Sequence, residues 1–116
     1  MKENVVEDKS FAFAVRIINL YKFLTETKKE FVLSKQLLRF GTSIGALIRE
    51  AEHAESKADF IHKLSIALKE ANETDYWIEL LFKTNFLSEN EYNTIKGDVL
   101  ELIKLLVSII KSSKTK

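Results

Sequence analysis

No disulfide and no thiolate chemistry can operate in this chain, because its 116 residues contain no cysteine. That absence fits a reducing compartment. Proline is missing too, and glycine occurs only three times. A β-sandwich or an α/β fold of this length would need more turn residues, whereas helices joined by short polar connections would not. No stretch approaches the roughly 18 uninterrupted apolar residues of a membrane span. The opening MKENVVEDKS lacks the apolar run of a secretory signal. The expectation is a cytoplasmic protein without a membrane partner. Formal charge is only +1, which excludes polyanion binding by bulk electrostatics and leaves any nucleic-acid surface to a local patch.

What is present is a globular balance of 46% apolar and 30% charged residues, in a length that suits one domain over residues 1–116. Thr27 with Glu30, Ser56 with Asp59 and Ser88 with Glu91 have the spacing of capping boxes. A hydroxyl there accepts from an orphan helix N–H while the carboxylate reaches back to the cap. Each pair precedes an apolar-periodic stretch, which predicts helices at about 9–25, 28–54, 57–85 and 89–112. Short connections favour antiparallel neighbours, so the predicted fold is an all-α, antiparallel, up-down four-helix bundle.

The second helix carries one core stripe (Leu33, Leu37, Phe40, Ile44, Leu47, Ile48, Ala51), and the third another (Phe60, Leu64, Ala67, Ala71, Ile78, Phe82). The first helix is wider. Phe11, Ala14, Val15, Ile18 and Tyr21 form one stripe, and Phe13, Ile17, Leu20 and Leu24 a second, together covering roughly 220° where a surface helix needs about 100°. The fourth adds Leu100, Leu105, Val107 and Ile109 to a stripe running from Tyr92 to Ile110. A surplus of this kind marks a protein interface. Phe13, Ile17, Leu20, Leu24, Leu100 and Leu105 are therefore read as contacts between copies of the chain. Ile66, Trp77 and Leu80 lie off the core stripe of the third helix and join them, since aromatics concentrate at interface hot spots.

Chemistry is sparse. Glu50 with His53 and Asp59 with His62 repeat a carboxylate-x-x-His spacing that di-iron bundles use on inward-facing positions. On the helical wheel these four point about 100–180° away from the core direction, so no metal site is assigned. Arg49 with His53 is too closely spaced for a helical ribonuclease pair. No triad order, phosphate loop or Walker pattern occurs. No catalytic residue and no cofactor is expected. Lys35, Arg39, Arg49, Lys57, Lys63 and Lys69 are the candidate nucleic-acid contacts, interleaved with acidic residues in a way that usually means a solvated face.

The run GTSIGALIREAEHAESKADFIHKLSIALKEANETDYWIELL, Gly41 to Leu81, extended backwards by FVLSKQLLR, resembles the bacterial four helix bundle, or 23S rRNA intervening sequence (S23), protein family. The family's usual Ser-Ile-x-Ala-Asn-Ile is kept at Ser43, Ile44, Ala46 and Ile48, but Leu47 stands where asparagine is usual. The resemblance implies a homopentameric bundle without established enzymatic activity. A related branch, the accessory variability determinant of diversity-generating retroelements, binds nucleic acid and a reverse transcriptase. The expected function is thus a homo-oligomeric scaffold or adaptor with a nucleic-acid or ribonucleoprotein partner. The alternative is a protein-only interaction module that docks through the first helix and Trp77, and an enzyme ranks behind both.

Overall fold

Val6, Ser10, Phe13, Ile17, Leu20 and Leu24 follow one another at spacings of four and three, the repeat that keeps one seam of a helix against its neighbours. That seam organises the first helix of the protein. A computed structural model describes the backbone of residues 2–115 and the side chains of residues 5–115. It contains α1 (Lys2–Glu26), α2 (Leu33–Glu52), α3 (Lys57–Lys83) and α4 (Glu89–Lys114). The four run up and down as an antiparallel bundle about 47 Å long, with α1 packed on α2, α2 on α3, α3 on α4, and α4 closing more loosely on α1. Among the described residues, neither diagonal pair of helices brings Cα atoms within 8 Å of each other. The bundle is a square with four distinct sides.

The core is mainly apolar, with Ser10, Ser34 and Thr74 as buried polar exceptions. Leu37, Ile44, Ile48 and Ala51 of α2 meet Leu64, Ala67, Ala71 and Ile78 of α3, and α4 contributes Ile95, Val99, Leu102, Leu106 and Ile110. These are the expected stripes. In α1 the expectation is reversed. Phe13, Ile17 and Leu24, read from the sequence as surface for a second copy, are buried inside the subunit, while Phe11, Val15 and Ile18 of the other stripe are exposed. The reason lies upstream of the predicted start at residue 9. α1 begins at Lys2, and Val6 and Ser10, both buried, complete a seam that favours the Ile17 side.

Gly41 fixes the approach of α2 to that seam. A Cβ at Gly41 would stand 2.9 Å from both γ-carbons of Ile17, so only glycine admits the isoleucine. Gly97, in the fourth helix, has nothing within 4 Å of the equivalent point. Gly41→Ala is expected to cost about 1–3 kcal/mol through overpacking. Gly97→Ala should gain up to about 1 kcal/mol of helix propensity. Thermal melts at matched concentration check both, with shifts of opposite sign.

The capping boxes divide into three outcomes. Ser88 and Glu91 form the full reciprocal pair. Ser56 accepts from the Asp59 N–H, but Asp59 accepts from the Glu55 N–H instead of returning to Ser56. Thr27 does not cap at all. Lys29 turns the chain through a positive φ of 57°, α2 starts at Leu33 rather than near residue 28, and the Glu30 carboxylate itself caps it. It accepts from the N–H groups of Val32, Leu33 and Ser34 at 3.1, 2.9 and 2.7 Å.

Burial alone would raise the Glu30 pKa, but the Leu33, Ser34 and Val32 N–H groups outweigh it and hold the carboxyl below its ordinary value of 4.5. A depressed carboxylate stabilises the fold above that ordinary value and loses the contribution as pH falls through the folded value. Glu30→Gln should therefore lower the melting temperature at neutral pH, and the gap to wild type should narrow as pH falls below 4.5.

Candidate interaction surfaces

Among the described residues, three sides of the square carry ion pairs, and two opposite ones carry little else at their surface. Between α1 and α4, Arg16 pairs with Asp98 at 2.5 Å and also donates to Thr94, while Lys9 pairs with Glu101 at 3.2 Å. Between α2 and α3, Lys63 pairs with Glu50 at 3.3 Å and Ser43 donates to Glu70 at 3.0 Å. The other two sides carry most of the exposed apolar surface.

On the α1/α2 side, Phe11, Val15 and Ile18 stand outward from α1. Phe11 is 58% exposed, with the Arg49 guanidinium 5.9 Å from its ring centre. Beside it runs a groove of about 400 Å³ lined by the small residues Ser10, Ala14, Thr42, Gly45 and Ala46 and by Glu7. On the α3/α4 side, Tyr76, Leu100 and Val107 are exposed, and Leu68, Asn72, Lys69 and Tyr76 line a shallow groove of about 630 Å³. This second side is pinned beneath by three groups not singled out from sequence, Lys96, Asp75 and Glu79, together with Tyr92 of the α4 stripe. Lys96 donates to Asp75 at 2.6 Å and to Glu79 at 3.1 Å, and Tyr92 donates to Glu79 while its ring stacks on Phe82. The Tyr92 hydroxyl, followed by Lys96, holds the Glu79 carboxyl below its ordinary pKa. Asp75 with Glu79 and Tyr92 with Lys96 are each spaced by four, a signal visible in sequence only once the two helices are known to face each other.

Among the expected interface residues, Leu100 is exposed as required. Leu20, Trp77 and Leu105 are half-buried against the core, and Ile66 and Leu80 are half-buried at the edge of α3. Phe13, Ile17 and Leu24 are withdrawn from that surface by burial. The indole N–H of Trp77 is buried without an acceptor among the described residues.

The six candidate cations do not share one surface. Lys35, Arg39 and Arg49 lie on a single outer ridge of α2, with Thr42, Ala46 and His53 at intervening helical spacings. None of the three has a carboxylate partner among the described residues, and Arg39 instead lies 5.2 Å over the Phe40 ring. Lys63 is engaged by Glu50, Lys57 opens α3 at the far end, and Lys69 belongs to the α3/α4 side.

Of the carboxylate-His pairs, Glu50 faces Lys63 and Asp59 serves the α3 cap, while His53 and His62 are exposed. Among the described residues, no three of His, Cys, Asp and Glu stand close enough to hold a metal ion. No helix among them is long and apolar enough to cross a membrane.

Comparison with known proteins adds two findings. A family model described as "23S rRNA-intervening sequence protein" matches residues 2–108. The crystal structure of a protein of unknown function from the S23 ribosomal protein family of Bacteroides thetaiotaomicron is similar at 66% identity and a TM-score of 0.94. The match covers 96% of this chain and 99% of that one. No curated protein matches.

Proposed function

The chain belongs to the 23S rRNA-intervening sequence protein family, and from that premise we propose that it is a non-enzymatic, homo-oligomeric scaffold that presents basic ridges to nucleic acid or a ribonucleoprotein. Five copies per ring is the number that the family resemblance implies. The observation that carries the nucleic-acid reading is the outer ridge of α2, where Lys35, Arg39 and Arg49 project without carboxylate partners among the described residues. One copy offers three such charges, too few for firm binding to a polyanion. Repetition around an assembly multiplies them, and each phosphate neutralised releases a counterion. Contacts of this kind fix position without reading bases, so the binding is sequence-tolerant.

The test is a titration of labelled RNA and of duplex DNA at about 50 and 200 mM salt, a range over which phosphate-dominated binding drops steeply. Binding at low salt that weakens sharply at high salt, and that is lost in the K35E/R39E variant, is the expected result. No binding at low salt with the assembly intact would defeat the reading.

A second reading is a protein-only module that docks through the first helix, and it rests on the exposed Phe11, Val15 and Ile18 of α1, apolar surface of the kind that partners cover. The Trp77 indole N–H is already enclosed within the subunit. A pull-down that recovers a protein, loses it with Ile18→Asp and contains no nucleic acid would favour this alternative.

A further inference from the structure

Phe31 and Val32 are the most exposed large apolar side chains among the described residues, at 59% and 72%. Both stand in the connection between α1 and α2, at one end of the bundle. Val32 already has helical backbone angles, φ −101° and ψ −60°. Its spacing of three from Lys35 and seven from Arg39 therefore sets it at the head of the cationic ridge of α2, with Phe31 just beyond it.

This connection is basic on its outer surface and anchored beneath. From Thr27 to Arg39 the chain carries Lys28, Lys29, Lys35 and Arg39 against a single carboxylate, Glu30. That carboxylate is buried and occupied by the N–H groups of Val32, Leu33 and Ser34. None of the four cations has a carboxylate partner among the described residues. The backbone beside Phe31 is held as well. The Glu30 N–H donates to the Leu24 carbonyl at 2.9 Å, and the Ser34 hydroxyl donates to the Glu30 carbonyl at 2.8 Å. The ring is thus presented from a fixed backbone, which reduces the ordering cost of any contact it makes.

We infer that Phe31 is a stacking platform for an unpaired base, and that the ridge takes single-stranded polynucleotide in preference to duplex. This rests on the nucleic-acid reading above and names the form of its ligand. In a duplex the base faces lie against one another, and reaching them means unstacking a step. A ring beside phosphate-binding cations gains nothing there. In a single strand the faces are open, so an aromatic side chain holds a base while neighbouring cations track the backbone. Lys28 and Lys29 precede Phe31 in sequence, and Lys35 and Arg39 follow it, so charge for the flanking phosphates lies on both sides of it along the chain. Stacking needs a π-face but no particular base, in keeping with sequence-tolerant binding.

The probe is a labelled, unstructured RNA of about 20 nucleotides, used alone and annealed to its complement at about 50 mM salt. Wild type should favour the single strand by about fivefold or more, the effect of one stacked base. Phe31→Ala should remove that preference and leave duplex binding unchanged. Phe31→Trp should keep it, and the fluorescence of that variant should be quenched by the single strand and not by the duplex. The side chain is exposed, so circular dichroism should show both variants as helical as wild type. Equal affinity for the two forms, or a Phe31→Ala variant that binds the single strand like wild type, overturns the stacking site while leaving the basic ridge standing. Binding of neither form by the wild-type protein removes the nucleic-acid reading itself, and this inference with it.

Discussion

Ile17→Asp is expected to unfold the subunit. Ile17 is fully buried between α1 and Gly41 of α2, so the substitution removes a packed side chain and sets a carboxylate in an apolar interior. Either the charge is desolvated or the group takes up a proton, and both are costly. Losses of this type exceed about 4 kcal/mol, against a total stability of roughly 5–15 kcal/mol for a small domain. Far-ultraviolet circular dichroism at 25 °C should show most of the helical signal gone, whatever the protein concentration. A folded but dissociated Ile17→Asp variant would mean that the α1 seam is misassigned and that the residue faces a second copy, as its place in the double stripe first suggests.

Phe11→Asp, one residue after the buried Ser10 yet pointing outward, should do the reverse. Its ring lies at the surface of the α1/α2 side beside Arg49. The fold has little to lose there, because a surface change away from caps and core usually stays within about 0.5 kcal/mol. The assembly has more to lose, since the contact gives up an aromatic ring and must desolvate an aspartate, at a cost of about 3–5 kcal/mol unless the neighbouring Arg49 turns to pair with it. That corresponds to a drop in affinity of more than a hundredfold. Size-exclusion chromatography with light scattering should report the 13.4 kDa subunit, with the helical spectrum retained. An assembly unchanged by Phe11→Asp would take the α1/α2 side out of the contact.

Particular residues show what could be read from sequence and what could not. The core stripes of α2, α3 and α4 follow from their spacing, because in each one apolar sector dominates, although α3 and α4 carry further apolar residues beside it. α1 has two sectors, and periodicity cannot choose between them. Packing chooses, through Gly41, whose missing side chain makes room for Ile17. The deciding sequence cue was Ser10, a polar residue whose hydroxyl is satisfied locally by the Glu7 carbonyl at 3.0 Å and which therefore sits buried without penalty. Glu30 is a second case. Its spacing from Thr27 suggests a capping box, but the left-handed turn at Lys29 moves the helix start downstream and makes the carboxylate the cap.

The interaction surfaces divide along the same line. That the chain carries surplus apolar area was legible, because it depends on composition around each helix. Its allocation to two opposite sides depends on which helices are neighbours, since among the described residues ion pairs occupy three of the four sides, the α3/α4 side included. Likewise, the cationic ridge of α2 is a local helical pattern, visible once α2 is placed. The separation of Lys57, Lys63 and Lys69 from it needed the tertiary fold.

The mass of the wild-type protein in dilute solution decides most, since both the shared scaffold and its repeated basic ridges require copies to hold together. Light scattering across a micromolar concentration series should return a whole multiple of 13.4 kDa, five-fold for the proposed ring. A lone 13.4 kDa species throughout that series, folded and stable with Phe11, Val15 and Ile18 left in water, would contradict it.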